Sequence, residues 1–192
     1  PMTRSVSDAA LMLTVMAGSD RRDWYALPAE SADYTHGLER GIEGLRVAFS
    51  PRLGGHAVDP DIAGLVAAAA KRFEELGAQV EEAEPDLPDC AAIFRVHWYV
   101  GAANLIRRFS VENQSLMDPG YREIAASGAA YSLNDYLDAV AAREALGVAF
   151  NQFHSHFDLL LTPSLPIPAF GKGLEVPTGS GQERWIDWTP FT

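Results

Sequence analysis

Apolar and polar positions alternate along this chain in segments with distinct periods. Val6, Ala9, Ala10, Leu13 and Met16 recur at helical spacing. Ser5 and Asp8 stand ahead of them as a capping box, and Gly18 suits a left-handed closing residue. Residues 19–44, with Asp20-Arg-Arg-Asp23 and Pro28, carry no period and read as a long surface connection. Leu45-Arg-Val-Ala-Phe49 then predicts a short strand, followed by the turn-rich Ser50-Pro-Arg-Leu-Gly-Gly55. Asp59-Pro60 opens a helix whose face is Ile62, Leu65, Val66, Ala69, Phe73 and Leu76, with Gly77 as its stop. Ala78-Gln-Val-Glu-Glu82 returns as a strand, giving a strand–helix–strand unit expected to be parallel and right-handed.

Beyond Pro85 and Pro88 the chain predicts a helix over 91–109, apolar on nearly every side through Ile93, Phe94, Val96, Trp98 and Leu105. A helix of that kind is buried or lines a pocket. Met117-Asp-Pro-Gly120 interrupts it, and 121–127 forms a short helix. Ser132-Leu-Asn-Asp135 is a second capping box, opening a long helix to about His156. Phe157-Asp-Leu-Leu-Leu-Thr162 reads as a buried strand that leaves through the extended Pro163-Ser-Leu-Pro-Ile-Pro168.

Composition narrows the function classes. A net charge of −11 excludes an extended phosphate-binding face, since Arg21-Arg22, Lys71-Arg72 and Arg107-Arg108 are isolated doublets. Nucleic acid is therefore not an expected partner. No apolar run reaches membrane-spanning length, so no membrane is expected either. Cys90 is the single cysteine, which forbids an intrachain disulfide and suits a reducing cytoplasm.

The chain offers little by way of catalytic patterns. Serine chemistry needs a nucleophile beside a base and a glycine-rich turn for the oxyanion, and no Gly-x-Ser-x-Gly elbow occurs. Gly179-Ser-Gly181 sits in a loop with no helix behind it. His154-Ser-His156 with Asp158 has the wrong spacing for one metal on a helix, where ligands fall three or four apart; only if the helix ends before His154 could both histidines reach one ion. No metal site and no cofactor are expected. Cys90 and His97 share a helical face but stand about 10 Å apart along the axis, too far for a hydrogen bond.

Several strings, in order, resemble one known family. Pro1-Met-Thr-Arg-Ser-Val-Ser-Asp-Ala-Ala is similar to the helix that follows the active-site region in amidase signature hydrolases. Gly44-Leu-Arg-Val-Ala-Phe, Val58-Asp-Pro and Leu76-Gly-Ala-Gln-Val-Glu resemble that family's small strand–helix–strand insertion. Phe157-Asp-Leu-Leu-Leu-Thr-Pro163 resembles its strand leading back to the active site, with Ser164 where the family writes threonine, and Trp188-Thr-Pro-Phe-Thr192 resembles the opening of its next motif. The resemblance divides the chain into a post-catalytic helix over 1–18, the unit over 45–82, a helical region over 89–156, a strand and proline-rich loop over 157–170, and a cut motif over 185–192.

The resemblance implies an α/β fold, a partial amidase signature fold with helices packed on a mixed sheet. It implies a parent that hydrolyses carboxylic amides through an acyl-serine, using a serine–cis-serine–lysine triad and no cofactor. All three triad residues would lie upstream of Pro1, so none falls on this sequence and the 192 residues alone are expected to be inactive. What remains is scaffold and a pocket wall, with Trp98, Tyr99 and Thr162 as substrate-binding candidates for a small-molecule amide. Further partners would be a second copy, in a homodimer, or the remainder of its own chain. Alternatives are a fragment of the amidase subunit of an amidotransferase complex and a non-catalytic interaction module.

Overall fold

The computed structural model describes residues 2–26 and 33–191. Pro1, Pro28 and Thr192 lie outside the described residues. The chain divides into two compact units, Pro1–Glu43 and Gly44–Thr192.

In the first unit, helix α1 spans Val6–Met16. Ser5 accepts the Asp8 amide at 3.1 Å, which is one half of the expected capping box. The helix ends through Ala17 in the right-handed region, and Gly18 does not take the left-handed conformation expected of it. A short 3₁₀ turn at Leu38–Arg40 relieves the connection, and the Tyr34 amide donates to Thr14 Oγ1 at 3.0 Å.

The second unit is built on a three-stranded sheet, with β1 at Arg46–Phe49, β2 at Gln79–Glu82 and β3 at Leu159–Leu161 in the order β2-β1-β3. Both pairings are parallel: that of β1 with β2 is the one the strand–helix–strand pattern requires, and with β3 also parallel the described strands show no mixed sheet of the kind the resemblance implied. Val47 and Ala48 on the central strand are fully buried, because a parallel strand is covered on both faces. The two edges differ. β2 guards its edge with Glu81 and Glu82, whereas β3 carries leucines alone.

Helix α2, Pro60–Glu75, links β1 to β2; Asp59 caps it, and Gly77 at φ 92° reverses the chain into β2. Helix α3, Cys90–Ile106, packs on α5, Pro119–Gly128, and on α6, Leu133–Phe153. Ala102, Ile124 and Ala125 form the buried centre of that contact, with Tyr99, Ile106 and Tyr121 around it. Helix α4, Val111–Ser115, is a short turn that the sequence pattern did not predict. The capping box at Ser132 and Asp135 forms in full, and α6 stops at Phe153, three residues before His156.

Of the apolar residues on α3, only Ile93 and Ala102 are buried; Trp98 and Leu105 are 47% and 45% exposed. Of the two readings open for that helix, burial on all sides does not hold among the described residues.

A candidate functional site beside helix α3

The first turn of α3 stands beside a cavity of about 690 Å³. Its walls come from four places: Leu53 and Gly54 after β1, Pro85 to Arg95 into α3, Arg143 and Leu146 on α6, and Ile186 to Pro190. A second cavity of about 450 Å³ shares His56, Asp187 and Pro190 with it and continues along the proline segment. That segment is held in place because the Asp59 amide donates to the Pro166 carbonyl at 2.8 Å.

Ser50 organises the loop wall. Its side chain is fully buried, its hydroxyl donates to Glu84 Oε2 at 2.6 Å, and it accepts the Leu53 amide at 3.0 Å. Glu84 also accepts the Gly54 amide at 3.0 Å. Leu53, Gly54 and Gly55 all have positive φ, at 38°, 79° and 99°, so the chain turns sharply here under the grip of one carboxylate. A hydroxyl this deeply buried cannot reach a substrate, which makes Ser50 a structural residue.

An aromatic cluster stands behind the cavity. Phe94, itself a wall residue, stacks on Trp98 at 5.5 Å, and Trp185 meets Phe94 and Trp98 edge-on at 5.9 and 5.8 Å. The 184–188 segment is tied down by Arg184, which bridges Glu123 on α5 and Glu175, and by Trp188 Nε1, which donates to the Glu175 carbonyl at 2.9 Å. The hydrogen bond to Glu123 raises the Arg184 pKa further above its ordinary value.

The charged groups on the walls are not equivalent. Asp89 accepts the Ala92 amide at 2.9 Å as the cap of α3, and Asp187 accepts the Glu183 and Arg184 amides, each at 3.0 Å. Burial, reinforced by the negative charge of Asp89, pushes the Cys90 thiol above its ordinary 9.0, and it donates to the Pro88 carbonyl. It is a protonated thiol, not an activated nucleophile. Among the described residues, the walls bring no hydroxyl or thiol within hydrogen-bonding distance of a histidine or lysine.

The structure separates the three predicted pocket residues. Trp98 joins the aromatic cluster through Phe94. Tyr99 packs towards α5 in the buried helix contact. Thr162 closes on itself at the end of β3, donating to the Pro163 carbonyl at 2.9 Å. His97 reaches the Ala139 carbonyl at 3.3 Å and the Tyr136 ring, away from Cys90, while Asp158 pairs with Arg46. Sequence reasoning missed the partnership of Phe94 with Trp98, although their separation of four on a helix was the signal for it. It also missed Arg95 and Arg143, for which no local pattern existed.

A family model described as Amidase matches residues 1–192. The chain belongs to the amidase family. An amidase from Pseudomonas putida is 32% identical over 196 residues, covering 100% of this chain and 42% of its own length. An acylamidase from Rhodococcus erythropolis is 32% identical over 194 residues, covering 98% of this chain and 41% of its own. A solved bacterial aryl acylamidase of the amidase signature family superposes with a TM-score of 0.80 at 26% identity, over 98% of this chain and 42% of that one. The chain thus spans 42% and 41% of the length of these two curated relatives. As in that aryl acylamidase, the sheet and helices described above are parts of an α/β fold. The described residues hold no helix long and apolar enough to cross a membrane.

Proposed function

We propose that these residues supply scaffold and one wall of the acyl pocket in an enzyme that hydrolyses carboxylic amides through an acyl-serine. The observation that carries this reading is the family match over the whole of 1–192. The nucleophile, bridging serine and lysine then come from outside this sequence, in keeping with cavity walls that pair no nucleophile with a base. The unguarded leucine edge of β3 suits a place inside a larger sheet. A wall of Phe94, Ile93, Leu146 and Ile186 favours aryl or aliphatic acyl groups over small charged ones. A reducing cytoplasm suits the lone thiol of Cys90.

The test is intact mass of the full-length protein before and after a fluorophosphonate probe, beside hydrolysis of an aryl acylamide. One adduct together with loss of hydrolysis is the expected result. Adduct formation on the 192-residue segment alone would overturn the assignment of the nucleophile. Activity that appears only with an ammonia-accepting acyl substrate and partner subunits would favour the amidotransferase reading.

A further inference from the structure

The two arginines on the cavity walls stand out in an acidic chain. Arg95 comes from α3 and Arg143 from α6, so they approach the same space from two helices. Elsewhere in this unit, Arg46, Arg72 and Arg184 are paired with carboxylates, while Arg52, Arg107, Arg108 and Arg122 form no ion pair among the described residues; what sets Arg95 and Arg143 apart is that both line one cavity. Arg95 and Arg143 form no ion pair among the described residues, although two aspartates line the same cavity. Those aspartates are already committed: Asp89 to the cap of α3 and Asp187 to two backbone amides. Both carboxylates keep their charge but are held in place by backbone amides, whereas neither guanidinium has a hydrogen-bonding partner among the described residues.

Much of the remaining surface is apolar, through Ile93, Phe94, Leu146 and Ile186, with His56 and Thr189 also on the walls. A cavity of about 690 Å³ falls within the ~300–1,000 Å³ usual for small-molecule sites. Guanidinium groups match carboxylates by paired N–H donors, and such charge-assisted bonds are the strong ones. We propose that this cleft binds a monocarboxylate carrying an aryl or alkyl tail, with Arg95 and Arg143 on the carboxylate and the tail against Phe94 and Ile186. Binding of this kind needs no catalytic step, so it stands apart from the acyl-serine reading and survives the failure of that reading.

The experiment is calorimetric titration of the full-length protein with 4-phenylbutyrate and with 4-phenyl-1-butanol, which shares the tail and lacks the charge. Neither compound contains an amide, so turnover does not enter. The acid should bind about tenfold or more tightly than the alcohol, the increment expected for a charge-assisted contact. Arg95→Gln and Arg143→Gln should each weaken the acid about tenfold and leave the alcohol unchanged, and added salt should weaken the acid selectively. Arg143→Lys, which keeps the charge and loses the paired donors, should fall between the wild type and Arg143→Gln. Equal affinity for acid and alcohol, or no measurable acid binding at millimolar concentration, overturns the proposal. So does acid binding that both glutamine variants leave intact.

Discussion

Gly128 at the end of α5 lies directly against the backbone carbonyl of Tyr99 on α3. A Cβ placed on Gly128 would stand far inside 3.0 Å of that carbonyl, and the opposing atoms are backbone rather than a side chain that can swing away. The glycine is there because two helices approach too closely for any other residue. It also explains why Tyr99 faces the helix contact: its own helix is pressed against α5 at that point.

Gly128→Ala should therefore separate α3 from α5. Overpacking of a tight contact costs about 1–3 kcal/mol, and the upper part of that range is expected here because backbone must move. Urea unfolding at constant slope measures it. A variant as stable as the wild type would show that the helices do not meet at this distance.

Ser50→Ala removes a buried hydroxyl that serves both Glu84 and the Leu53 amide. The Leu53 N–H then loses its acceptor inside a loop of three positive φ angles. A loss of about 1–3 kcal/mol follows from an unsatisfied buried donor. Ser50→Thr, which restores the hydroxyl, should recover part of it unless the extra methyl clashes. The readout is the thermal midpoint; equal midpoints for wild type and Ser50→Ala would remove the clamp from the account.

Asp158 joins β3 to β1 by accepting the Arg46 amide at 2.8 Å and pairing with its guanidinium at 3.0 Å. These hydrogen bonds hold the carboxyl below its ordinary 3.8. A depressed carboxyl contributes stability in full above its unfolded value and loses it as pH falls through the folded one. Asp158→Asn keeps an acceptor for the Arg46 amide and loses the charge. Its stability should trail the wild type modestly at pH 7, and the gap should close as pH drops below 3.8. A gap that stays constant from neutral to acid pH would mean that the ion pair contributes nothing.

The fold was legible wherever period and punctuation agreed. Asp59-Pro60 and Gly77 fixed both ends of α2, and β1 and β2 followed from what those ends left over. Gly18 misled because glycine permits a left-handed residue without requiring one; α1 closes with right-handed Ala17 instead. The site was less legible, for a physical reason. Its walls come from loop 53–54, α3, α6 and 186–190, which meet only in three dimensions. An apolar helix such as α3 shows that some of its surface is covered, but not which side chains face a cavity. Hence Trp98 and Tyr99, neighbours in sequence, went to opposite fates about 100° apart around one helix.

Trp98 separates a stability role from a binding role. It is 47% exposed, and its contacts are the rings of Phe94 and Trp185. An aromatic pair contributes about 0.5–1.5 kcal/mol beyond buried area, so Trp98→Ala should cost only about 1–2 kcal/mol and leave the chain folded. Near-UV circular dichroism should lose the band from the coupled indoles of Trp98 and Trp185. If the cluster backs an acyl pocket, KM for aryl acylamides in the full-length enzyme should rise several-fold while kcat holds, since tail binding is uniform between ground and transition state. Acetamide, which has no tail, should be hydrolysed as before. An equal loss on both substrates would assign Trp98 to packing and remove it from the pocket wall.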